Sequence, residues 1–526
     1  MPEHQGFAAK LAKMRRQLPY LPRAFSMVWR AARPWTAAWM SLLVIQGLLP
    51  VALVLLVRVL VDSLVPAIDA GGTWDTARTP LLLALLIAGV LLLTELLRAI
   101  TRWVSTAQGE LVQDHISRLI HERAVAADLA HYDSPDYHDR LHRARVDAAH
   151  RPVALLQNAG TLLQNGLTLV AMGAVLLRFG WWVPLALVIS TLPALWIVLR
   201  FAIRRHDWRM RTTPDQRRAW YYDWLLTSRD SAQEVRVFDL STSFAEAYQQ
   251  IRSRLRGESL SLARSQAVAE MTAAAFALAV MGAAVAWMVL RTMRGAITLG
   301  ELAMFAQAFS QGQQLLRTLL STFAQTYTNI LFLENLFEFL SVEPTILDPA
   351  EPLPAPVAGA PTIRFSKVSF RYPGTERPIF TDFDLVVPGG SVTALLGVNG
   401  AGKSTLFKLL CRFYDPEDGS VELDGVDLRE LRIADVRRRI TSLFQEPVHY
   451  SETARRNIQL GDLAVEAAEA ELERAIEAAD SEAVVDRLSD GLDTLLGTWF
   501  AGGAELSAGQ WRRLALARAA FREASV

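Results

Sequence analysis

Stretches without Asp, Glu, Lys or Arg run over 34–57, 79–94, 152–177, 179–199, 271–290 and 302–316. A helix that crosses the hydrocarbon core of a bilayer needs about 20 mostly apolar residues. Four of the stretches reach that length outright. The stretch 79–94 continues past Glu95 into Leu96 and Leu97. The stretch 302–316 is shorter and richer in polar residues, and a soluble amphipathic helix is its alternative reading. The pattern predicts six spans. Between them lie two long polar segments, 98–151 and 200–264, with helical periodicity rather than Gly/Ser filler. They predict helices that run on past the membrane.

Six prolines fall at 344, 349, 352, 354, 356 and 361, a density that favours extended chain. This segment reads as a linker. After it the pattern becomes soluble α/β. The expected fold is an all-α six-helix transmembrane domain followed by an α/β P-loop domain with an antiparallel β subdomain. The expected boundaries are 1–33 for an N-terminal segment, 34–341 for the membrane domain, 342–361 for the linker and 362–526 for the soluble domain.

Charge refines this picture. The chain of 526 residues carries 54 basic and 54 acidic residues, so it has no basic surplus for binding nucleic acid. The segment 200–264 holds thirteen Arg, and 1–33 holds seven Lys/Arg against Glu3. By the positive-inside rule these segments, and the soluble domain with them, are expected on the cytoplasmic side. A lone Cys411 excludes an intrachain disulfide and a cysteine zinc site. A signal peptide is not expected, because the first apolar run begins only after a long basic lead.

The chemistry concentrates after residue 390. Ser391–Leu396 reads as a buried strand, and Leu406–Phe413 as a helix. Between them lie Gly397, Val398, Asn399, Gly400, Ala401, Gly402, Lys403, Ser404 and Thr405. This is the strand–loop–helix setting of a phosphate-binding loop. Its glycines let successive N–H groups face a phosphate, and the helix N-terminus adds its positive dipole end. In that pattern Lys403 reaches the β- and γ-phosphates of ATP, and Ser404 binds Mg²⁺.

Other motifs identify a family. Leu506, Ser507, Ala508, Gly509 and Gln510, with the helix that follows, resemble the signature motif of ATP-binding cassette (ABC) proteins. Residues 442–447, with Gln445, resemble that family's Q-loop. Residues 370–374, with Tyr372, resemble its adenine-stacking A-loop. Residues 34–341 resemble the six-span domain of ABC exporters. Taken singly, Tyr372 could be a strand-edge aromatic, Gln445 a loop polar residue, and Ser507 only a helix N-cap. Their order around one phosphate loop carries the resemblance.

The resemblance implies half of an ATP-driven exporter, paired with a second half-transporter in a lipid bilayer. It implies that ATP sits between the phosphate loop of one subunit and Ser507–Gln510 of the other. Tyr372 would stack on adenine, and Gln445 would sense Mg²⁺. Segments 132–137 and 230–238 resemble the coupling helices. Two other readings stay open: an importer on the exporter fold, and a degenerate ATP-binding subunit of a heterodimer. Ala508, where the motif has glycine, and Ala501, where many relatives are acidic, favour the latter. The family's Mg²⁺-ordering Asp, catalytic Glu and switch His follow the signature helix. The chain stops at Val526, so a truncated cassette is expected, without cargo-stimulated ATP turnover.

Polar residues inside the spans are expected to face a cavity or another helix. Gln307, Gln311, Gln314 and Thr318 follow helical spacing, with Arg317 beside them, and are cavity candidates. Gln157, Asn158, Gln164 and Asn165 form a second stripe. The Ala-rich stretch with Gly282 reads as close packing.

Overall fold

The computed structural model describes residues 20–71, 73–134, 137, 140–141, 151–354, 359–464 and 469–526. The chain divides into two compact units. One takes the chain up to Glu122 and from Arg140 to Ser341; the other takes Arg123–Asp139 and Val342–Val526.

The first unit is helical. Helix α1 (Tyr20–Ala31) is amphipathic and precedes α2 (Arg33–Asp69) and α3 (Trp74–Ala126). After the short α4 (Leu129–Tyr132) come α5 (Arg151–Leu177), α6 (Trp182–Thr227), α7 (Arg229–Val237), α8 (Ser241–Met293) and α9 (Leu299–Leu340). Among the described residues, five of these helices are long and apolar enough to cross a membrane: α2, α3, α5, α6 over Trp182–Arg209, and α8. The sixth expected span, on α9, is long enough but not apolar enough to join them. It is nonetheless central. Met304, Phe305, Ala308 and Phe309 of α9 are buried with Val54, Met172, Leu176, Val183, Leu187 and Met288 in one core. The polar segments 98–126 and 200–227 continue their membrane helices without a break, as the sequence predicts.

Small residues bring these helices together. A Cβ on Gly160 would sit 2.2 Å from the Trp39 ring, and one on Gly312 would sit 2.8 Å from Leu187. Gly282 is not such a contact, because a Cβ there would meet open space. Close packing on α8 comes instead from its buried face, Ala273, Ala277 and Ala284. Side chains also bond between helices. Gln108 donates to Thr36 at 2.7 Å, Gln46 to Thr101 at 2.6 Å, and Thr168 to the Gly47 carbonyl at 2.7 Å. At one end of the bundle the Glu301 carboxylate lies 3.1 Å from Arg58 and 3.5 Å from Arg178. Beside it, Asp62 accepts from the Gly300 N–H at 2.9 Å.

In the second unit, β1 (Ile363–Phe370) pairs antiparallel with β2 (Phe380–Val387) and β3 (Asp418–Leu423), and β3 pairs with β4 (Val426–Asp427). The sheet order is β2-β1-β3-β4. Alternate residues of β1 point into a core shared with α10 (Lys403–Leu410) and α11 (Ile433–Arg438). A second core gathers α12 (Ala454–Gln459), α13 (Glu469–Ala478), α14 (Glu482–Val485) and α15 (Ala508–Phe521) around Leu472, Leu496, Trp511 and Leu514.

One expectation changes here. Ser391–Leu396 is not a buried strand: it joins no ladder, and Val392 and Leu396 are 103% and 93% exposed. A parallel central strand is held by hydrogen bonds to neighbours on both sides. Among the described residues none runs alongside it, so its apolar sequence alone does not make it a strand. The Pro-rich segment, for its part, is bonded to the folded domain. Its Leu353 N–H donates to the Glu430 carbonyl at 2.8 Å, and its Asp348 caps Ile433 N–H at 2.7 Å. The buried Arg412 guanidinium reaches the Leu347 carbonyl at 3.1 Å. Extended chain exposes its backbone polar groups, and here several of them are satisfied by the folded domain. Pro356 lies outside the described residues.

Candidate nucleotide site

Phe380 opens β2 and Ile379 precedes it, and together they form the wall behind the phosphate loop. Gly402 caps α10 in the left-handed region, at φ +89°, and Gly400 has φ +85°. A Cβ on Gly402 would lie 2.7 Å from Phe380 Cζ and 2.9 Å from Ile379 Cγ2. Only glycine meets both conditions at once. The loop therefore turns sharply into α10, leaving the first N–H groups of the helix without intrahelical partners. Lys403 folds over the loop, where its Nζ donates to the carbonyls of Gly397 and Val398 at 2.6 and 2.9 Å.

Ser404 and Thr405 diverge. Ser404 is exposed at the start of α10, whereas Thr405 is buried. The Thr405 hydroxyl shares a hydrogen bond of 3.0 Å with the Tyr372 hydroxyl. The Tyr372 ring stands edge-to-face against Phe370 and Tyr414, at 5.2 and 5.4 Å. Lys408, one turn along α10, places its ammonium 5.0 Å above the Tyr372 ring. The structure thus brings the expected A-loop aromatic to the phosphate-loop helix. Sequence reasoning missed Lys408. Its signal was the lysine scarcity, since only five lysines occur and two lie on α10.

Gln445 is exposed in a segment without regular structure. The signature segment starts α15. The Ser507 side chain accepts from the Gln510 N–H at 3.3 Å, and the Gln510 side chain accepts from the Ser507 N–H at 2.8 Å. This capping box fixes where α15 begins. Ala508 is its first residue, in ordinary right-handed helix, so its methyl brings no strain. A Cβ on Gly509 would meet open space. Among the described residues no hydrogen bond joins 397–405 to 507–510.

The segment before residue 139 also carries polar contacts. Asp128 accepts from the Thr345 N–H and hydroxyl at 2.6 and 2.7 Å, and Asp133 accepts from the Tyr414 hydroxyl at 2.6 Å. Burial, with the Asp133 carboxylate beside it, pushes the Tyr414 phenol well above the usual tyrosine range. Burial likewise raises the Cys411 thiol and lowers the nearby Arg437 guanidinium. Of the two coupling-helix candidates, 132–137 holds the last residue of α4 at Tyr132 and a helical Tyr137, with Pro135 and Asp136 outside the described residues. The other, 230–238, coincides with α7.

Comparison with known proteins agrees with this layout. Residues 36–316 match the family model described as the ABC transporter transmembrane region, and 380–526 match the one described as ABC transporter. The chain belongs to the ABC transporter family. The ABC transporter chain is 23% identical to the subtilin transport ATP-binding protein SpaT of Bacillus subtilis, over 98% of this chain and 83% of that protein. It is 34% identical to an ATP-dependent lipid A-core flippase of Pseudomonas aeruginosa, over 44% of this chain and 37% of that protein. Its fold matches the structure of a bacterial Atm1-family ABC exporter with ATP bound, at TM-score 0.76 and 22% identity, over 94% of this chain and 85% of that one. This ABC transporter is an integral membrane protein of the exporter type, with its membrane region ahead of its ATP-binding domain.

The donor set of the transporter fits Mg²⁺ only together with a nucleotide. Among the described residues no cluster of His, Cys, Asp or Glu could hold a metal ion. Mg²⁺ keeps several waters and is held through one or two protein groups plus phosphate oxygens. Ser404 and Gln445 are both exposed and carry oxygen atoms of the kind that could serve as such groups.

In the membrane unit, the α9 candidates Gln307, Gln311 and Thr318 are half-buried, and Gln314 and Arg317 are exposed. Their stripe borders the buried face, with Gln307 and Gln311 three and seven residues after Met304 on one helix. Gln313, absent from the stripe, is the buried one: its amide donates to Ser190 at 2.9 Å and to the Ala277 carbonyl at 3.1 Å.

Proposed function

We propose that this chain is one half of an exporter whose two ATP molecules sit between the phosphate loop of one subunit and Ser507–Gln510 of the other. The observation that carries this is the separation within one chain. The phosphate loop, Tyr372 and α10 come together, while the signature segment forms a capped helix start that bonds to none of them. Its free N–H groups at the α15 N-terminus suit a γ-phosphate brought by a partner. On this reading Lys403 leaves its two carbonyls for the β- and γ-phosphates. Tyr372 turns a ring face to adenine. Ser404 and Gln445 hold Mg²⁺, which supplies charge neutralisation for the phosphates. No residue of 1–526 is assigned as the general base, so these roles account for binding and closure rather than cleavage.

The Arg-rich segments and the ATP-binding domain face the cytoplasm on this reading. Gln307, Gln311, Gln314, Arg317 and Thr318 line the path of cargo, because a polar face on a membrane helix is costly against lipid. Two relatives above are named for subtilin transport and for flipping lipid A-core, and an amphipathic cargo fits this chain.

Co-expression of two differently tagged copies tests the arrangement. Placing Lys403→Ala and Ser507→Arg on the same copy damages both composite sites, whereas one substitution on each copy leaves one site intact. The expected result is ATP retention through rapid gel filtration only in the second case. Retention only in the first case would show that each chain closes its own site.

A further inference from the structure

A pocket of 320 Å³ opens between α2, α3 and α5. Trp39 and Leu43, both buried, form an apolar wall. Arg98 and Arg102, one turn apart on α3, form a cationic side, and Gln157 and Thr161 of α5 close it with polar groups. Several residues around it already have partners: Gln46 is bonded to Thr101, Arg98 to Glu95 at 2.6 Å, and the Thr106 and Thr161 hydroxyls to the carbonyls of Arg102 and Gln157. The Arg102 guanidinium has neither an ion pair nor a hydrogen bond among the described residues. It stands where the apolar run of α3, ending at Leu97, gives way to polar helix.

A guanidinium at the end of a membrane span snorkels to the interface, and the exposed donors of Arg102 are open to an anionic group there. Its planar donor fork fits phosphate or carboxylate oxygens. The adjoining Trp39 and Leu43 offer surface to an acyl chain or ring rather than to a small hydrated ion. We propose that this pocket binds an anionic amphiphile, its head group on Arg98 and Arg102 and its apolar body on Trp39 and Leu43. This names a substrate class for the exporter and rests on that reading only for transport, since binding requires no nucleotide. The same chemistry is offered by an anionic bilayer lipid and by cargo.

The test uses the full-length transporter in phosphatidylcholine nanodiscs without nucleotide. Dodecyl phosphate is titrated in by calorimetry, with dodecyltrimethylammonium as the cationic counterpart. Dodecyl phosphate should bind saturably and the ammonium should not. R98Q/R102Q should weaken binding about tenfold or more, and R102K should weaken it less. If the double variant does not fold, Gln157→Leu supplies the second measurement, with a smaller loss expected. Phosphatidylglycerol in the disc that competes with dodecyl phosphate identifies a lipid site. ATP-dependent uptake of dodecyl phosphate into inverted vesicles identifies cargo. Both outcomes support the pocket. Unchanged affinity in the folded substituted proteins, or equal saturable binding of the ammonium amphiphile, overturns it. A failed tagged-copy experiment would leave the binding result standing.

Discussion

The Tyr414 hydroxyl donates to the Asp133 carboxylate at 2.6 Å, joining residues 281 positions apart in the sequence. Tyr414 is buried, and its ring also packs on Tyr372 of the candidate nucleotide site. A hydrogen bond to a charged group contributes about 1.5–3 kcal/mol. Tyr414→Phe keeps the ring and removes the bond. A loss in that range is expected in thermal unfolding.

The same bond predicts a pH dependence. The folded chain holds the Tyr414 proton more tightly than the unfolded chain, because burial and Asp133 raise its pKa. The stabilisation is then complete below the ordinary tyrosine value of about 10. It fades as the pH rises from there toward the folded-state pKa. Melting temperature should fall more steeply above about pH 10 in the parent protein than in Tyr414→Phe. Parallel curves would count against it.

Gly402→Ala should damage the nucleotide site more than an exposed glycine substitution would. An L-residue at its positive φ costs roughly 1–2 kcal/mol, and the new methyl also meets Phe380 and Ile379. A lower melting temperature and loss of fluorescent ATP binding are expected. By contrast, Gly509→Ala has open space and should leave the melting temperature unchanged.

The two lysines of α10 should separate by function. Lys403→Ala should lower ATP affinity or turnover by about 10²-fold, the scale of removing one preorganised charge-stabilising donor. Lys408→Ala removes only the cation over the Tyr372 and Tyr414 rings, at 5.0 and 5.7 Å. Such a contact contributes about 0.5–1 kcal/mol, so a few-fold change in ATP affinity is expected. Equal losses in a nucleotide titration would refute the separation.

In the membrane unit, Glu301→Gln leaves Arg58 and Arg178 facing a neutral amide. A loss of about 1–3 kcal/mol is expected, measured as the thermal midpoint of the detergent-solubilised protein. Gly300→Ala should do at least as much, because its Cβ would lie 2.3 Å from the Arg58 carbonyl.

Much of this molecule is local in its sequence. Helix lengths, the phosphate loop and the Ser507 cap depend on residues within a few turns of one another, so patterns reveal them. The continuation of α3 and α6 into polar helix is legible for the same reason. What escapes is set by distant partners. Ser391–Leu396 has the composition of a buried strand, but a parallel strand exists only through neighbours that the segment does not contain. Gln313 shares the composition of the α9 stripe, and only the three-dimensional positions of Ser190 and Ala277 make it a packing residue. The Ala-rich setting of Gly282 suggests a contact that the structure does not make, while Gly160 packs on Trp39, because a glycine's role depends on what stands opposite it.

The unpaired segment 391–396 has a practical consequence. The Val392 and Leu396 side chains are open, and residues 392–396 join no ladder. That combination is a template for strand addition by another polypeptide. A preparation of this chain is therefore prone to self-association through its ATP-binding unit even when its membrane helices are well covered by detergent, and a soluble peptide of matching sequence would act as a competitor for that edge.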